Sequence, residues 1–294
     1  MDSQSRTHQK ASFGRHETFA LRYAWLTKGF QALQHKPKIF NTDEATIELG
    51  VGKNMVHAIK YWLRATQMTD YEQTTDIGKL IFSEHGDQYL QDEATIWLIH
   101  WLLATNFEAA TAWYWFFNCF HKTEFTSEEA ADALAEFVKQ HVAGKHSERT
   151  VRHEISMILR MYTPSINKTQ IEDSLDAPLI SLNLIQEVEH TRFYRSPLNT
   201  QNSLPVHIVG YAVNEVFNKR EITVLPIHDL MHGQKRGIAL GSVFRLTESA
   251  LLAKLEDLVG LYPNDFQLNE TAGLHQLHKL TDKASIAFLK DYYG

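Results

Sequence analysis

Apolar residues recur at helical spacing over most of this chain, and a few short stretches break that rhythm. From Phe13 to Leu33 the positions Phe19, Tyr23, Leu26, Phe30 and Leu33 predict one amphipathic helix. Gln34 to Asn41 is a connector containing Pro37, and Asn41 or Thr42 is placed to cap a short helix that follows. That helix ends at Gly50, and a second begins near Gly52, the outline of a helix-turn-helix. Polar, turn-rich residues from Met68 to Gly78 predict a small wing, so residues 13–90 read as a winged helix-turn-helix. Residues 91–146 are helical and aromatic, with Trp97, Trp101, Trp113, Trp115, Phe116, Phe117 and Phe120 close together. Within them Thr126-Ser-Glu-Glu129 is a capping box for a helix over 128–142. Beyond a boundary at Gly144 to Ser147, helices are predicted over 148–162, 205–219 and 247–258, the last capped by Thr247. A loop and short helix surround Pro178. Residues 191–198 look extended, 222–226 form a β-branched run, and 265–277 read as two strands, a possible second winged module. The chain thus divides into a loose N-terminus (1–12), the winged region (13–90), an aromatic-rich helical region (91–146) and a C-terminal helical domain with short strands (147–294). The fold class is mainly α with small β elements, α+β.

The second helix of the helix-turn-helix sorts its residues by face. At about 100° per residue, Lys53, His57, Lys60 and Arg64 fall within an arc of about 60°, while Val56, Ile59 and Leu63 gather about 120° away. One apolar stripe to dock and one cationic stripe to meet phosphates and base edges is what a major groove requires. Lys53, Asn54, His57, Lys60 and Arg64 are therefore the candidate DNA contacts; the plainer alternative is a solvated surface face. Gly-Val-Gly-Lys-Asn is not a nucleotide-binding loop. A P-loop needs glycine five residues before its Gly-Lys pair and a hydroxyl after it, and here Ile47 and Asn54 occupy those places.

Charge distribution sharpens that reading. The 294 residues carry a net charge of −6, yet residues 1–70 hold ten Lys/Arg against six Asp/Glu, a net of +4, and the remainder carries −10. Apolar content of 44% is enough for a sizeable core. Cys119 is the only cysteine, which rules out an internal disulfide and fits a cytoplasmic location. The N-terminus lacks the apolar core of a secretory signal. The most apolar stretch, Ile96 to Phe120, is interrupted by His100, Asn106 and Glu108, so it predicts a buried helix pair rather than a membrane span. Its aromatic residues are expected to be core rather than a base-stacking platform.

Two constellations could carry chemistry. His228-Asp229-Leu-Met-His232 places two imidazoles one helical turn apart, a possible metal pair, but without the HExxH arrangement. It would imply a metal-dependent hydrolase of small molecules. On a helix over 15–28, Glu17 would lie near the start with Arg22 and Lys28 beyond it. A carboxylate to bind a divalent ion or activate water, with cations to stabilise developing charge, suits phosphodiester chemistry. An amphipathic helix with solvated charges is the alternative. No nucleophile elbow, Pro-Asp…Glu-x-Lys arrangement or HNH-type loop is present.

Several stretches, in this order, resemble a family of bacterial proteins: Phe19-Ala-Leu-Arg22-Tyr-Ala-Trp-Leu-Thr-Lys28-Gly, Leu49-Gly-Val-Gly-Lys-Asn-Met-Val56, Tyr61-Trp-Leu, Thr95-Ile-Trp-Leu-Ile-His100, Glu172-Asp-Ser-Leu-Asp-Ala-Pro-Leu179 and Thr271-Ala-Gly-Leu-His-Gln-Leu277. They are similar to the SspB-like components of DNA phosphorothioation systems, from about residue 13 to the C-terminus. The resemblance implies a DNA-nicking endonuclease that helps replace a non-bridging phosphate oxygen with sulfur in defence against phage. It also implies as partners double-stranded DNA, a cysteine desulfurase, an ATP-pyrophosphatase-like protein and a P-loop ATPase. The phosphodiester chemistry implies a divalent metal, magnesium or manganese. The alternative is a non-enzymatic DNA-binding targeting subunit or transcriptional regulator.

Overall fold

A single hydrophobic core runs from Ala20 to Leu289 in the computed structural model, which describes residues 10–164, 177–233, 237–271 and 273–294. Helices dominate, with three small antiparallel sheets among the described residues, and the class is α+β. The first helix, α1 (Tyr23–His35), is shorter than its apolar spacing predicts. Residues 13–22 instead turn back on themselves, with Gly14, Glu17 and Thr18 at positive φ. Long-range contacts override the helical period there. The backbone N–H of Gly14 donates to the Glu154 carboxylate, and His16 is fully buried. A partner 140 residues away leaves no trace in local periodicity.

The short helix α2 (Ala45–Leu49) and the helix α3 (Lys53–Ala65) follow, and both pack on α1. Neither Asn41 nor Thr42 caps α2. Its N-cap is Glu44, and the Thr42 hydroxyl donates to the Ile39 carbonyl instead, at 2.8 Å. Gly50 ends α2 at φ 65°, and its N–H and that of Val51 close the last turn. A left-handed residue is cheapest as glycine at such a helix end. After α3 comes a hairpin, β1 (Thr69–Asp70) and β2 (Gln73–Thr74), with Thr69 opposite Thr74. Then comes α4 (Asp76–Ile81), capped by Thr75.

The aromatic region is interior. Helix α5 (Glu93–Thr105) is buried from Ala94 to Ala104, and all eight residues of α6 (Thr111–Asn118) are buried. The seven aromatic side chains noted above are all core, as their spacing within apolar runs predicts. No helix among the described residues is long and apolar enough to cross a membrane. Strand β3 (Glu124–Thr126) leads into α7 (Ser127–His141), whose Thr126–Glu129 capping box forms as read from sequence. Helix α8 (Glu148–Tyr162) packs along α7. Beyond it, a 3-10 turn at Pro178–Leu182 lies near the predicted short helix, while Glu172 to Asp176 and Ala272 fall outside the described residues. Strands β4 (Gln186–Glu187) and β5 (Phe193–Arg195) complete a sheet with β3, Phe125 opposite Tyr194.

The C-terminal part comprises α9 (Val206–Arg220), β6 (Val224–Pro226), α10 (Ile227–His232), α11 (Leu240–Val243), α12 (Glu248–Leu261), β7 (Phe266–Thr271), β8 (Leu274–Lys279) and α13 (Ser285–Tyr293). Strands β7 and β8 form the expected hairpin, and β6 adds a third strand beside β8. Helix α13 packs on α9 and reaches back to the N-terminal half. There the Tyr292 hydroxyl donates to Asp92, and Tyr293 bonds Thr95 at 2.8 Å.

Candidate nucleic-acid interface

Helix α3 buries Val56, Ile59 and Leu63, the stripe read from sequence, along with Ala58 and Trp62. The indole of Trp62 donates to the Phe19 carbonyl at 3.0 Å and fixes the helix against the N-terminal segment. The opposite face divides in two. Lys53, Asn54 and His57 are exposed. Lys60 and Arg64 are half-buried and engaged. The Lys60 ammonium donates to Asn41 Oδ1 at 2.8 Å, and the Asn41 amide in turn donates to Glu72 at the tip of the β1–β2 hairpin. The Arg64 guanidinium lies 4.2 Å over the Tyr71 ring and meets Glu108 at 3.0 Å. Helix and hairpin are therefore one polar unit. Glu108 is about half exposed, so its pair with Arg64 contributes little stability, of order 1 kcal/mol or less, and Arg64 can exchange partners.

Between α3, the hairpin and the N-terminal segment lies a groove of about 900 Å³. Its lining includes Arg15, Glu17, His57, Lys60, Arg64 and Asp70. Arg15 and Glu17 project from the turn that replaces the predicted helix, and both are exposed. The same turn separates the phosphodiester constellation expected on a single helix. Glu17 reaches the groove, whereas Arg22 is the α1 N-cap with its guanidinium 5.3 Å from the Trp25 ring, and Lys28 is exposed in the middle of α1. Neither of these cations lines the groove; the cations that do are Arg15, Lys60 and Arg64, with Lys10.

Beneath the groove, Tyr61 borders the lining while its hydroxyl is enclosed. Burial, and then the Glu154 charge, hold that phenol well above its ordinary range, so it stays protonated. No three His, Cys, Asp or Glu side chains converge on one point among the described residues. His228 and His232 sit side by side on α10, ring centroids 5.0 Å apart, with Asp229 Oδ1 3.8 Å from His228 Nδ1. That arrangement falls short of a three-ligand cage. A magnesium ion makes a smaller demand on protein, one or two carboxylates with water and phosphate oxygens completing the octahedron. Glu17, Asp70, Glu72 and Glu108 are the carboxylates on the groove's lining.

Sequence reasoning did not find Arg15, His16, Tyr71, Glu108 or Glu154. Arg15 carried the one usable signal, a cation in the same net-positive first seventy residues as the basic helix.

The family whose description is protein of unknown function (DUF4007) matches residues 13–293. Among solved structures, magnesium ion-bound SspB superposes with a TM-score of 0.87 at 27% identity, covering 99% of this chain and 90% of that one. A second SspB crystal structure gives 0.85 at 28% identity, with 98% and 90% covered. A comparison with curated proteins finds no match.

Proposed function

The chain belongs to the DUF4007 family and is SspB-like over nearly its whole length, and from that premise we propose that it is the DNA-binding, DNA-nicking component of a phosphorothioation defence system. The full-length likeness to SspB carries this reading. In it, α2 and α3 act as a helix-turn-helix with the β1–β2 hairpin as a wing. Lys53, Asn54 and His57 meet the duplex first, and Lys60 and Arg64 exchange Asn41 and Glu108 for phosphate oxygens. Charge-assisted bonds to phosphate are stronger than the exposed pairs they replace. Glu17 is one of the carboxylates lining the groove beside α3. It and Asp70 would hold a magnesium ion, as the ion in one SspB structure invites, and magnesium supplies charge stabilisation for phosphodiester cleavage. Arg15 sits where it can neutralise the phosphate being attacked. The partners in this reading are duplex DNA, a cysteine desulfurase, an ATP-pyrophosphatase-like protein and a P-loop ATPase, all in the cytoplasm.

A non-enzymatic targeting subunit is the second reading: the exposed Lys53, Asn54 and His57 of α3 would hold DNA without any cleavage step. Supercoiled plasmid separates the two. Incubated with the protein and magnesium or manganese, it is expected to convert to open circle, and Glu17→Gln is expected to slow that conversion at least tenfold. Plasmid that shifts in a gel but stays supercoiled would remove the nicking half and leave the targeting subunit.

A further inference from the structure

The turn at residues 13–18 has a second side. Ser12, Arg15 and Glu17 line the groove beside α3, whereas Gly14, His16 and Thr18 line another, of about 640 Å³, against α8. The rest of its lining is Arg149, Thr150, Arg152, His153 and Ser156. No acidic side chain is among these residues, although the chain as a whole is net negative. Arg149, His153 and Ser156 are exposed. Arg152 is held against Asp132 at 2.6 Å and Glu148 at 3.0 Å. One carboxylate lies below, that of Glu154, 1% exposed and occupied by the Gly14 N–H, with His16 Nε2 3.4 Å away. It anchors the turn and does not face the groove's solvent.

The two grooves are close. The His16 ring centroid is 6.1 Å from that of Trp62 in α3 and 6.4 Å from that of His153 in α8. The 13–18 turn therefore packs against both helices and borders both grooves, and one helical turn of a duplex spans about 34 Å. A duplex carries a phosphate charge every ~1.7 Å along its axis. The lining offers Arg149, His153 and the hydroxyls of Thr150 and Ser156 to phosphate oxygens, while Arg152 is already paired with Asp132 and Glu148 at the groove's edge. We infer that the α8 groove is a second phosphate track, in which the backbone of a duplex held on α3 passes over the 13–18 turn and lies against Arg149, His153 and the hydroxyls of Thr150 and Ser156. The inference rests on the DNA-binding reading and extends its footprint. It makes the turn a ridge between two contact surfaces rather than the edge of one.

The test is binding of the full chain to a labelled 20-base-pair duplex over a salt series, with two exposed α8 variants. Arg149→Ala is expected to lower the slope of log affinity against log salt by about 0.9, one phosphate contact. Ser156→Glu, which puts an acid beside Arg149 and His153, is expected to weaken binding about tenfold. Neither position is buried, and circular dichroism confirms that each variant is folded. If Lys60→Ala weakens binding while both α8 variants match the native protein, the second track is overturned and the α3 reading stands. If the native protein does not bind the duplex at all, both fall. A third arm uses inorganic phosphate in place of DNA. Micromolar phosphate binding that Arg149→Glu abolishes, with the DNA slope unchanged by Arg149→Ala, would assign the groove to a free phosphate and overturn the track.

Discussion

His100 lies in the middle of α5 with both ring nitrogens occupied. Nε2 donates to the Val243 carbonyl at 2.8 Å, so Nδ1 must accept from the Tyr162 hydroxyl, also at 2.8 Å. Burial, aided by the nearby Arg245 charge and opposed by the Val243 bond, pushes its pKa down to about 3. In the unfolded chain the same group titrates near 6.5. Below pH 6.5 the unfolded state therefore binds the extra proton, and stability falls as pH drops from 6.5 towards 3, at up to about 1.4 kcal/mol per unit from this one group. Urea midpoints measured from pH 8 to pH 4.5 should show this fall in the native protein. His100→Gln should be less stable at pH 8, by about 1–3 kcal/mol for the lost buried bonds, with a shallower acid slope. A slope identical in the two proteins would contradict the assignment. His16 at the ridge is also fully buried. The Thr18 N–H donates to its Nδ1 at 3.2 Å, which leaves the proton on Nε2, facing Glu154. None of this is written locally. A histidine among apolar residues marks a buried imidazole, but its partners lie 62 and 143 residues away.

At the scale of elements, what was legible is what depends on neighbours in sequence. The Thr126–Glu129 capping box, the apolar stripe of α3, the Thr247 cap of α12 and the glycine turn at Gly50 all formed as read. The start of α1 was not legible, because Phe19 keeps helical spacing with Tyr23 and Leu26 while the backbone ahead of it follows Glu154 and His16. The consequence for the site is large: Glu17 faces α3 rather than Arg22 and Lys28. The placement of α3 depends on a close approach to α1. A Cβ at Gly29 would come within 2.5 Å of Ile59 Cγ2 and 2.9 Å of Leu63 Cδ1. Both neighbours are fully packed, so Gly29→Ala must push the helices apart. It is expected to cost ~1–3 kcal/mol, read as a lower urea midpoint. An unchanged midpoint would mean that the α1–α3 contact yields more easily than its packing implies.

For the molecule as a whole, the uneven charge is the feature that composition shows and geometry develops. The first seventy residues are net positive on a net negative chain, and folding brings α8 of the acidic remainder alongside them with a groove lined by Arg149 and His153. The C-terminal helix α13 closes the same body through Asp92 and Thr95. In this account DNA is held by one face that spans both parts of the chain. The face of α3 could be read from the sequence; the second groove could not, since it exists only where residues 14–18 meet 149–156. The most direct test is the salt dependence of duplex binding by the native protein and by a Lys53→Ala, Lys60→Ala double variant, followed by fluorescence anisotropy. The expected result is a weaker affinity and a slope smaller by about two, at roughly 0.9 per lost phosphate contact. Native affinity and an unchanged slope in the double variant would contradict the claim that α3 lies on DNA.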